Sequence, residues 1–239
     1  MRHQGFHKVL QINQRARMLH FIREHFLLPP RAIKEENDHY LLERGARICA
    51  WLPTIEHRTC IRGAREIGQR AAVLYGLFQI YLRAPTQVIR TWFEKNRLMG
   101  YLSPNELELI EKHEDELCDQ ERCDLSWNVE AIYALLWAGS VFDTLDVQKY
   151  VPDTLVNVTP DIQENESADK LRRSIKTRPY AQIYKMLDLY YRASWYVVDA
   201  NLVNEDTKDF NYSVIMTRRQ ALEWVYDPTS SWDHIDLST

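Results

Sequence analysis

The stretch LDLYYRASWYVVDANL, residues 187–202, decides how the rest of the chain is interpreted. Its apolar side chains recur at the spacing of an α-helix, with Leu187 and Tyr190 on one stripe. Asp188 and Arg192 lie together on the remaining face, four residues apart with the acid first, which is the favourable order for a helical ion pair. The stretch therefore predicts a long helix that buries most of its surface and carries one charged stripe.

Lys185 and Asp199 extend this charged stripe along the same face of the predicted helix. We interpret the stripe first as an internal seam of ion pairs between helices and second as the wall of a pocket. An exposed pair would contribute only about 0.3–0.5 kcal/mol. A buried pair would need further hydrogen-bonding partners, because the desolvation of its charges otherwise makes it a net cost.

Helical periodicity continues over almost the whole chain, and the small number of glycines, 7 in 239 residues, also favours helices over tight hairpins. We therefore predict an all-α protein with a single compact domain of roughly eight helices, spanning residues 46–239, and an N-terminal helical extension, residues 1–45. The predicted helices cover approximately residues 5–27, 35–50, from 59 or 62 to 82, 86–99, from 103 into the acidic stretch at 111–124, 126–142, 179–201 and 212–226. The acidic stretch is interpreted as a solvated helix face and loop.

Local signals set some of the helix ends. The sequence SPNE at 103–106 predicts a capping box with Ser103 as N-cap. We expect Ser126 or Asp124 to cap the apolar helix that follows. Residues 143–170 form the longest predicted irregular segment, with an extended piece at TLVNV, residues 154–158. That segment could be a lid, a linker or a surface crossing between helix layers.

Charge is distributed unevenly along the chain. Residues 1–100 have a balance of +9 and residues 101–239 a balance of −13, within a net charge of −4. We interpret this as attraction between the two halves in the fold; a basic surface for nucleic acid is the alternative. The dispersed arginines and a pI of about 6.1 disfavour nucleic-acid binding.

The longest uncharged run around Trp137 has 12 residues, too few for a membrane-spanning helix of about 20. The N-terminus lacks the features of a secretory signal, although an amphipathic targeting helix is an open alternative. We expect a cytoplasmic protein.

The four cysteines, Cys49, Cys60, Cys118 and Cys123, have spacings that fit no zinc pattern. A mixed ligand set with neighbouring histidines stays open, but reduced cysteines without a metal are the preferred interpretation. The sequence also lacks a Gly-rich phosphate loop, an HExxH motif and a G-x-S-x-G motif. No cofactor is predicted.

Several short motifs, taken in order along the chain, resemble those of the bacterial family called domain of unknown function 4272. The resemblance covers roughly residues 45–239. The matching pieces are WLP at 51–53, REIGQRAAVL at 65–74, LSPNE at 102–106, WNVEA and LLWA within 127–138, DLYYRASW at 188–195, RRQALEW at 218–224 and WDHIDLST at 232–239. The family name implies no established activity.

The resemblance places a set of charged and tryptophan residues inside these motifs. As candidate members of a pocket or of an ion-pair seam we select Arg70, Glu130, Asp188, Arg192, Arg219, Trp127, Trp195 and Asp233. A structural role would be a set of charge-assisted bonds that join helices. A functional role would be a pocket whose arginines receive an anion and whose Glu130 or Asp188 acts as base or ligand. No catalytic residue is assigned.

Two hypotheses of function follow from these features. The first is a protein-binding module, for example of the immunity or regulatory type. It would contact its partner through the acidic face near Glu111–Asp124, which contains seven acidic and two basic residues. The alternative is an enzyme or ligand-binding protein with an Arg/Glu pocket for an anionic small molecule. Contact of the N-terminal helix with nucleic acid or an anionic membrane is a third, minor hypothesis.

Overall fold

The computed structural model of the protein describes residues 29–238, and in that part of the chain it contains eight α-helices and no β-strand. The predicted all-α class is therefore confirmed. The helix predicted for residues 5–27 lies outside the described residues. The eight helices are α1 (Pro30–Glu43), α2 (Ala64–Tyr81), α3 (Thr86–Lys95), α4 (Pro104–Glu111), α5 (Asp119–Ala138), α6 (Asp169–Ser174), α7 (Tyr180–Leu202) and α8 (Tyr212–Tyr226).

The helices pack side by side in an order that differs from their order in the chain. α7 lies between α1 and α8, α8 also contacts α5, and α5 contacts α2. α3 and α6 pack against α2, and α4 packs against α3. The second half of α5 is apolar on every side, and it is buried from Glu130 to Ala138, as expected for a central helix.

Three predicted features are reproduced closely. Ser103 Oγ accepts a hydrogen bond from Glu106 N at 3.4 Å, and Glu106 Oε2 accepts one from Ser103 N at 2.8 Å, which forms the predicted capping box. α7 begins directly after Pro179, and α8 has the predicted bounds. No helix among residues 29–238 has the length and apolar character needed to cross a membrane.

α1 begins and ends earlier than predicted. The second proline of the pair, Pro30, occupies the first helical position, where a missing backbone N–H costs nothing. The helix ends at Glu43 because Gly45 adopts a left-handed conformation with φ of +85°. The two prolines thus mark the start of this helix.

α5 also begins earlier than predicted. Its N-cap is Cys118, in place of Ser126 or Asp124, and Glu121 Oε2 accepts a hydrogen bond from Cys118 N at 2.9 Å. The first turns of α5 carry few apolar side chains, so apolar periodicity gives no signal for them. The acidic sequence is therefore part of the helix itself, which corrects the predicted start.

The extended piece predicted for residues 154–158 is wrong. Asp153–Asn157 forms a 3₁₀ helix after Pro152. Leu155 is buried and Val156 is 71% exposed. The part of the chain that the structure describes contains no strand with which the β-branched residues could pair. The end of the predicted irregular segment contains the short helix α6, which the sequence analysis did not identify.

Candidate functional site

Glu130 lies in a closed cluster between α5 and α8. The carboxylate accepts a hydrogen bond from Arg218 Nε at 2.8 Å, and Val151 N donates to its other oxygen at 3.3 Å. Nη2 of Arg218 donates to the same Glu130 oxygen as Nε, at 2.5 Å, and to Lys149 O at 2.8 Å, and Nη1 donates to Tyr190 Oη at 3.0 Å and Asp146 O at 2.7 Å. Burial alone would lower the pKa of Arg218, but Tyr190 and Glu130 outweigh that effect and raise it. We call this group the sealed cluster.

Asp188 and Arg192 form the ion pair expected from their spacing. Arg192 Nε and Nη2 each donate to the carboxylate at 2.8 Å, and both side chains are buried. Asn37 of α1 donates to the same carboxylate at 2.8 Å, and Asp38 lies 3.6 Å from Arg192 Nη1. Among residues 29–238, Arg192 Nη1 has no hydrogen-bond partner. The pair joins α7 to α1, because the charged stripe of α7 faces that helix.

Arg70 of α2 and Asp233 of the C-terminal tail lie near each other. Arg70 forms a buried ion pair with Glu106 and packs over the Trp232 ring, 4.5 Å from its centroid. Asp233 Oδ2 accepts a hydrogen bond from Asn105 N at 3.2 Å. Burial lowers the pKa of Arg70 although Glu106 opposes the shift. These contacts attach the tail to the N-terminus of α4.

The two candidate tryptophans are both partly buried. Trp127 lies on α5, three residues before Glu130, and Trp195 lies on α7 beside the buried Ser194. Trp195 packs against the hydrophobic core. The two tryptophans lie on different helices. Together with the clusters described above, this means that the predicted set of eight residues is divided among several places in the fold.

The predicted residue Arg219 lines an open cleft. The cleft has a volume of about 270 Å³ and lies between the segment before α2, the helix α8 and the C-terminal tail. We call it the tail cleft. Its walls are formed by Thr54, Ile55, Glu56, Arg58, Tyr191, Arg219, Glu223, Tyr226, Asp227, Ser230, Ile235, Asp236 and Ser238.

Most N–H groups of Arg219 are bound to the protein. Nη1 donates to Ser194 Oγ at 2.8 Å and to Leu237 O at 2.9 Å, and Nη2 donates to Ser238 O at 3.0 Å. Nε lies 3.4 Å from Glu223 Oε1, a long hydrogen bond. Arg219 thus holds the tail in place and leaves few donors for a ligand.

Glu223 is the residue of the tail cleft that sequence reasoning missed. Its side chain keeps 20% of its surface exposed. Burial raises the pKa of Glu223, and the nearby Asp236 adds to the shift while Arg219 and Arg58 oppose it. Arg219 and Glu223 have the same spacing of four residues as Asp188 and Arg192, although with the base first, so the sequence contains a weaker signal for this pair.

A second concave surface adjoins the predicted acidic face. It has a volume of about 340 Å³ and lies between α4, α5 and the tail. Leu77, Leu109, Leu125 and Trp232 contribute apolar lining, and Glu106, Glu108, Glu121, Asp124 and Asp233 contribute carboxylates, with Lys112, Asn105 and Asn128 completing it. We call this surface the acidic groove.

The two basic side chains of the acidic face, Lys112 and Arg122, bind other groups of the protein itself. Lys112 forms an ion pair with Glu121, and this pair lowers the pKa of Glu121. Arg122 donates to the carbonyl of Glu114. Further carboxylates on the same side are exposed, namely Glu108, Glu111, Asp115, Glu116, Asp119 and Asp124. The surface around the groove is therefore predominantly negative.

A third cavity, of about 620 Å³, lies between α1, α7 and the segment after α5. Its apolar side chains include Tyr40, Trp137 and Met186. None of the eight predicted site residues lines it.

None of the four cysteines forms a disulfide, and Cys49 is buried while the other three are exposed. Within residues 29–238 no three His, Cys, Asp or Glu side chains come together in a way that could hold a metal ion.

The fold and the site define the chain as an all-α protein with internal ion pairs between its helices. Residues 33–235 match the family model described as Domain of unknown function (DUF4272). The chain belongs to this family. The match begins within α1, ten residues before that helix ends. The domain boundary predicted at residue 45 stays a prediction. A search of curated proteins found no match, and neither did a search of solved structures.

Proposed function

We propose that the protein is a protein-binding module that receives a basic segment of a partner protein in the acidic groove. The observation that supports this proposal is the combination of an apolar floor and a carboxylate rim in one concave surface. Lysine and arginine side chains have the matching structure, because an aliphatic stem carries a cationic head. A surface for an anion or for a purely apolar group would not require both features.

The groove has the size of an anchoring site for one or a few side chains. Its volume of about 340 Å³ is near the lower end of the range for ligand pockets. The stem of an inserted side chain would contact Leu109 and Leu125, and its head would reach Glu108 or Asp124 at the rim. Charge-assisted hydrogen bonds to carboxylates are stronger than those between neutral groups, and arginine can form two at once.

The exposed carboxylates around the groove would act at longer range. Their field would attract a basic partner and accelerate association, and the effect would decrease with ionic strength. This is the contribution that we propose for the predicted face at Glu111–Asp124. A role as a module of the immunity or regulatory type is compatible with such a surface.

A binding assay with a defined peptide tests this proposal. The probe is a fluorescent peptide in which arginine alternates with leucine, and its reference is the same peptide with citrulline in place of arginine. The arginine peptide should bind more tightly, because citrulline keeps the shape of the side chain and removes its charge. Fluorescence anisotropy measures both affinities over a range of salt concentrations.

Two double variants locate the binding surface. Glu108→Gln with Asp124→Asn should weaken the arginine peptide about tenfold, which corresponds to about 1.4 kcal/mol for two partly exposed charge pairs. The control, Glu164→Gln with Asp209→Asn, removes the same charge from two exposed positions outside the groove. Equal weakening by both double variants, or equal affinity for the two peptides, would contradict the proposal.

A further inference from the structure

A large cavity beside α1 is not used by the proposed protein-binding function. It is the cavity of about 620 Å³ between α1, α7 and the segment after α5, and we call it the α1 cavity. Trp137 and Leu145 line it and are buried, and Tyr40 and Met186 line it and are half-buried. Apolar surface of this kind is stabilised when a further apolar group covers it. The α1 cavity therefore has the character of a docking site.

The charged residues of the α1 cavity favour a basic occupant. Its two strongly basic side chains are bound to the protein, since Lys185 forms an ion pair with Glu36 and Arg178 donates to Trp137 O at 2.5 Å and to Gln182 Oε1 at 3.1 Å. Four carboxylates contribute to the lining, namely Glu36, Glu43, Asp143 and Asp146. An occupant that is both apolar and basic would match these walls.

The N-terminal segment of the chain, residues 1–28, has both properties and directly precedes Pro29 and α1. It contains five Lys or Arg residues and one acid. In the helix predicted for residues 5–27, one apolar stripe at helical spacing consists of Met18, Leu19, Ile22 and Phe26. Arg15 continues this stripe one turn earlier. The segment lies outside the described residues and before the residues that match the family model.

The two prolines limit how the predicted helix can meet α1. A residue that precedes a proline avoids the helical conformation, which applies to Leu28 and to Pro29. Pro29 accordingly has φ of −59° and ψ of 148°. Helices joined by so short a connection pack side by side and antiparallel. This arrangement would bring the predicted helix next to α1, whose residues 36–43 include five that line the α1 cavity.

The short connection also sets which residues face each other. In an antiparallel pair of helices, positions at approximately equal distances from the turn lie opposite one another. Met18 then lies opposite Tyr40, which contributes an apolar wall, and Arg15 lies opposite the carboxylate of Glu43. A tethered segment also has an effective concentration of about millimolar, which favours it over a free partner.

We propose that the N-terminal segment packs as a helix antiparallel to α1 and covers the α1 cavity, with Met18 beside Tyr40 and Arg15 beside Glu43. The α1 cavity and the acidic groove share no lining residue, so this inference does not depend on the proposed protein-binding function. Residues that precede the family match would thus complete the packing around α1.

Photo-cross-linking in the full-length chain tests this proposal. Tyr40 is replaced by the photo-reactive residue p-benzoyl-phenylalanine, the protein is irradiated, and tryptic peptides are analysed by mass spectrometry. Position 40 should cross-link within the same molecule to the peptide MLHFIR, residues 18–23. A cross-link between two copies of the chain, or none to residues 1–28, would overturn the proposal.

Two further positions are the controls for this experiment. Val156 is 71% exposed and does not line the α1 cavity, and Asn128 lines the acidic groove. The same photo-reactive residue at either position should give no cross-link to residues 18–23. Cross-linking from position 128 in place of position 40 would show that the basic segment binds the acidic groove and would contradict the proposal.

Charge reversal tests the contact of Arg15 with Glu43. Arg15→Glu should reduce the yield of the cross-link from position 40 roughly fivefold, because it replaces an ion pair by repulsion. Addition of Glu43→Arg in the same chain should restore the yield. Arg17→Glu is the matched control, because it makes the same change on the opposite face of the predicted helix. An equal loss with Arg17→Glu, or no recovery in the double variant, would contradict this register.

A measurement without the photo-reactive residue tests the apolar contact. Met18→Ser with Ile22→Ser should shift the NMR signal of the Met186 methyl group, which lines the α1 cavity, and should increase its accessibility to a soluble paramagnetic agent. Leu10→Ser with Phe21→Ser removes two apolar side chains from the opposite face of the predicted helix and should leave this signal unchanged. An unchanged Met186 signal in the first double variant, or equal changes in both, would overturn the proposal.

Discussion

Two neighbouring arginines on α8 have opposite environments. Arg218 points towards α5 and α7 and is fully surrounded by the sealed cluster, whereas Arg219 points towards the tail cleft. One step along an α-helix turns the side-chain direction by about 100°. The difference shows that a motif such as RRQALEW can serve two purposes, since one arginine joins helices and the next forms the wall of a cavity.

The partners of the two arginines also differ. Arg218 faces the buried carboxylate of Glu130, together with carbonyl and hydroxyl oxygens. Arg219 mainly binds uncharged oxygens, and Glu223, its carboxylate partner within residues 29–238, is partly exposed. Removal of Arg218 would leave a charge without a partner in the core. Removal of Arg219 would leave groups that water can reach through the cleft.

The largest effect is expected for Arg218→Met. It should decrease the free energy of unfolding by about 3–5 kcal/mol, because Glu130 would remain as an unpaired buried charge. Urea unfolding followed by circular dichroism measures this value. The double variant Glu130→Leu with Arg218→Met should recover part of the loss, because apolar groups then replace both members of the pair. No recovery would show that the charge of Glu130 is not the cause.

A smaller effect is expected for Arg219→Met. It should decrease the free energy of unfolding by about 1–3 kcal/mol, the usual cost of leaving a few polar groups without partners. The same urea experiment measures this, and hydrogen exchange should show faster exchange in the tail, residues 232–238. A loss as large as that of Arg218→Met would remove the proposed distinction between the two environments.

The sequence predicted contacts within one helix better than contacts between helices. The spacing of Asp188 and Arg192 was sufficient to identify them as an ion pair, because positions four residues apart share a helix face. Glu130 and Arg218 are 88 residues apart in the chain, and Arg70 and Glu106 are 36 apart. Periodicity identifies such residues as charged positions beside an apolar face but does not show which helix faces which.

The same limit explains why the sequence analysis did not predict the tail cleft or the acidic groove. Helix class and several helix ends follow from local signals such as the SPNE capping box. The tail cleft requires the tail to return to α8 and the segment before α2, which is a tertiary arrangement. The spacing from Arg219 is a sequence signal for Glu223, but nothing in the sequence predicts that Asp236 lies near Glu223.

The smallest predicted effect concerns the pH dependence of stability. It tests whether Glu223, the carboxylate beside Arg219, differs from Glu130, the carboxylate beside Arg218. Burial raises the pKa of the Glu223 carboxyl in the folded protein. The folded state therefore keeps this proton at a pH at which the unfolded state has lost it. The protonated Glu223 carboxyl therefore contributes to the free energy of unfolding fully below the ordinary glutamate pKa. This contribution is lost as the pH rises through the raised pKa of the folded state.

Glu223→Gln removes this titration, so the free energy of unfolding of the variant, relative to the wild type, should increase as the pH is raised from acidic to neutral. Its loss of the partly exposed pair with Arg219 costs up to about 1 kcal/mol and reduces the stability of the variant over the pH range in which that carboxylate is charged. Urea unfolding midpoints of the wild type and the variant, measured over a pH series, give the difference in stability between them. The carboxyl groups that both proteins contain contribute equally and cancel in this difference. Glu164→Gln, at an exposed position, is the control and should show no comparable trend. A relative stability that falls towards neutral pH would mean that the pair with Arg219 outweighs burial and that Glu223 belongs with the paired charges of the core, as Glu130 does.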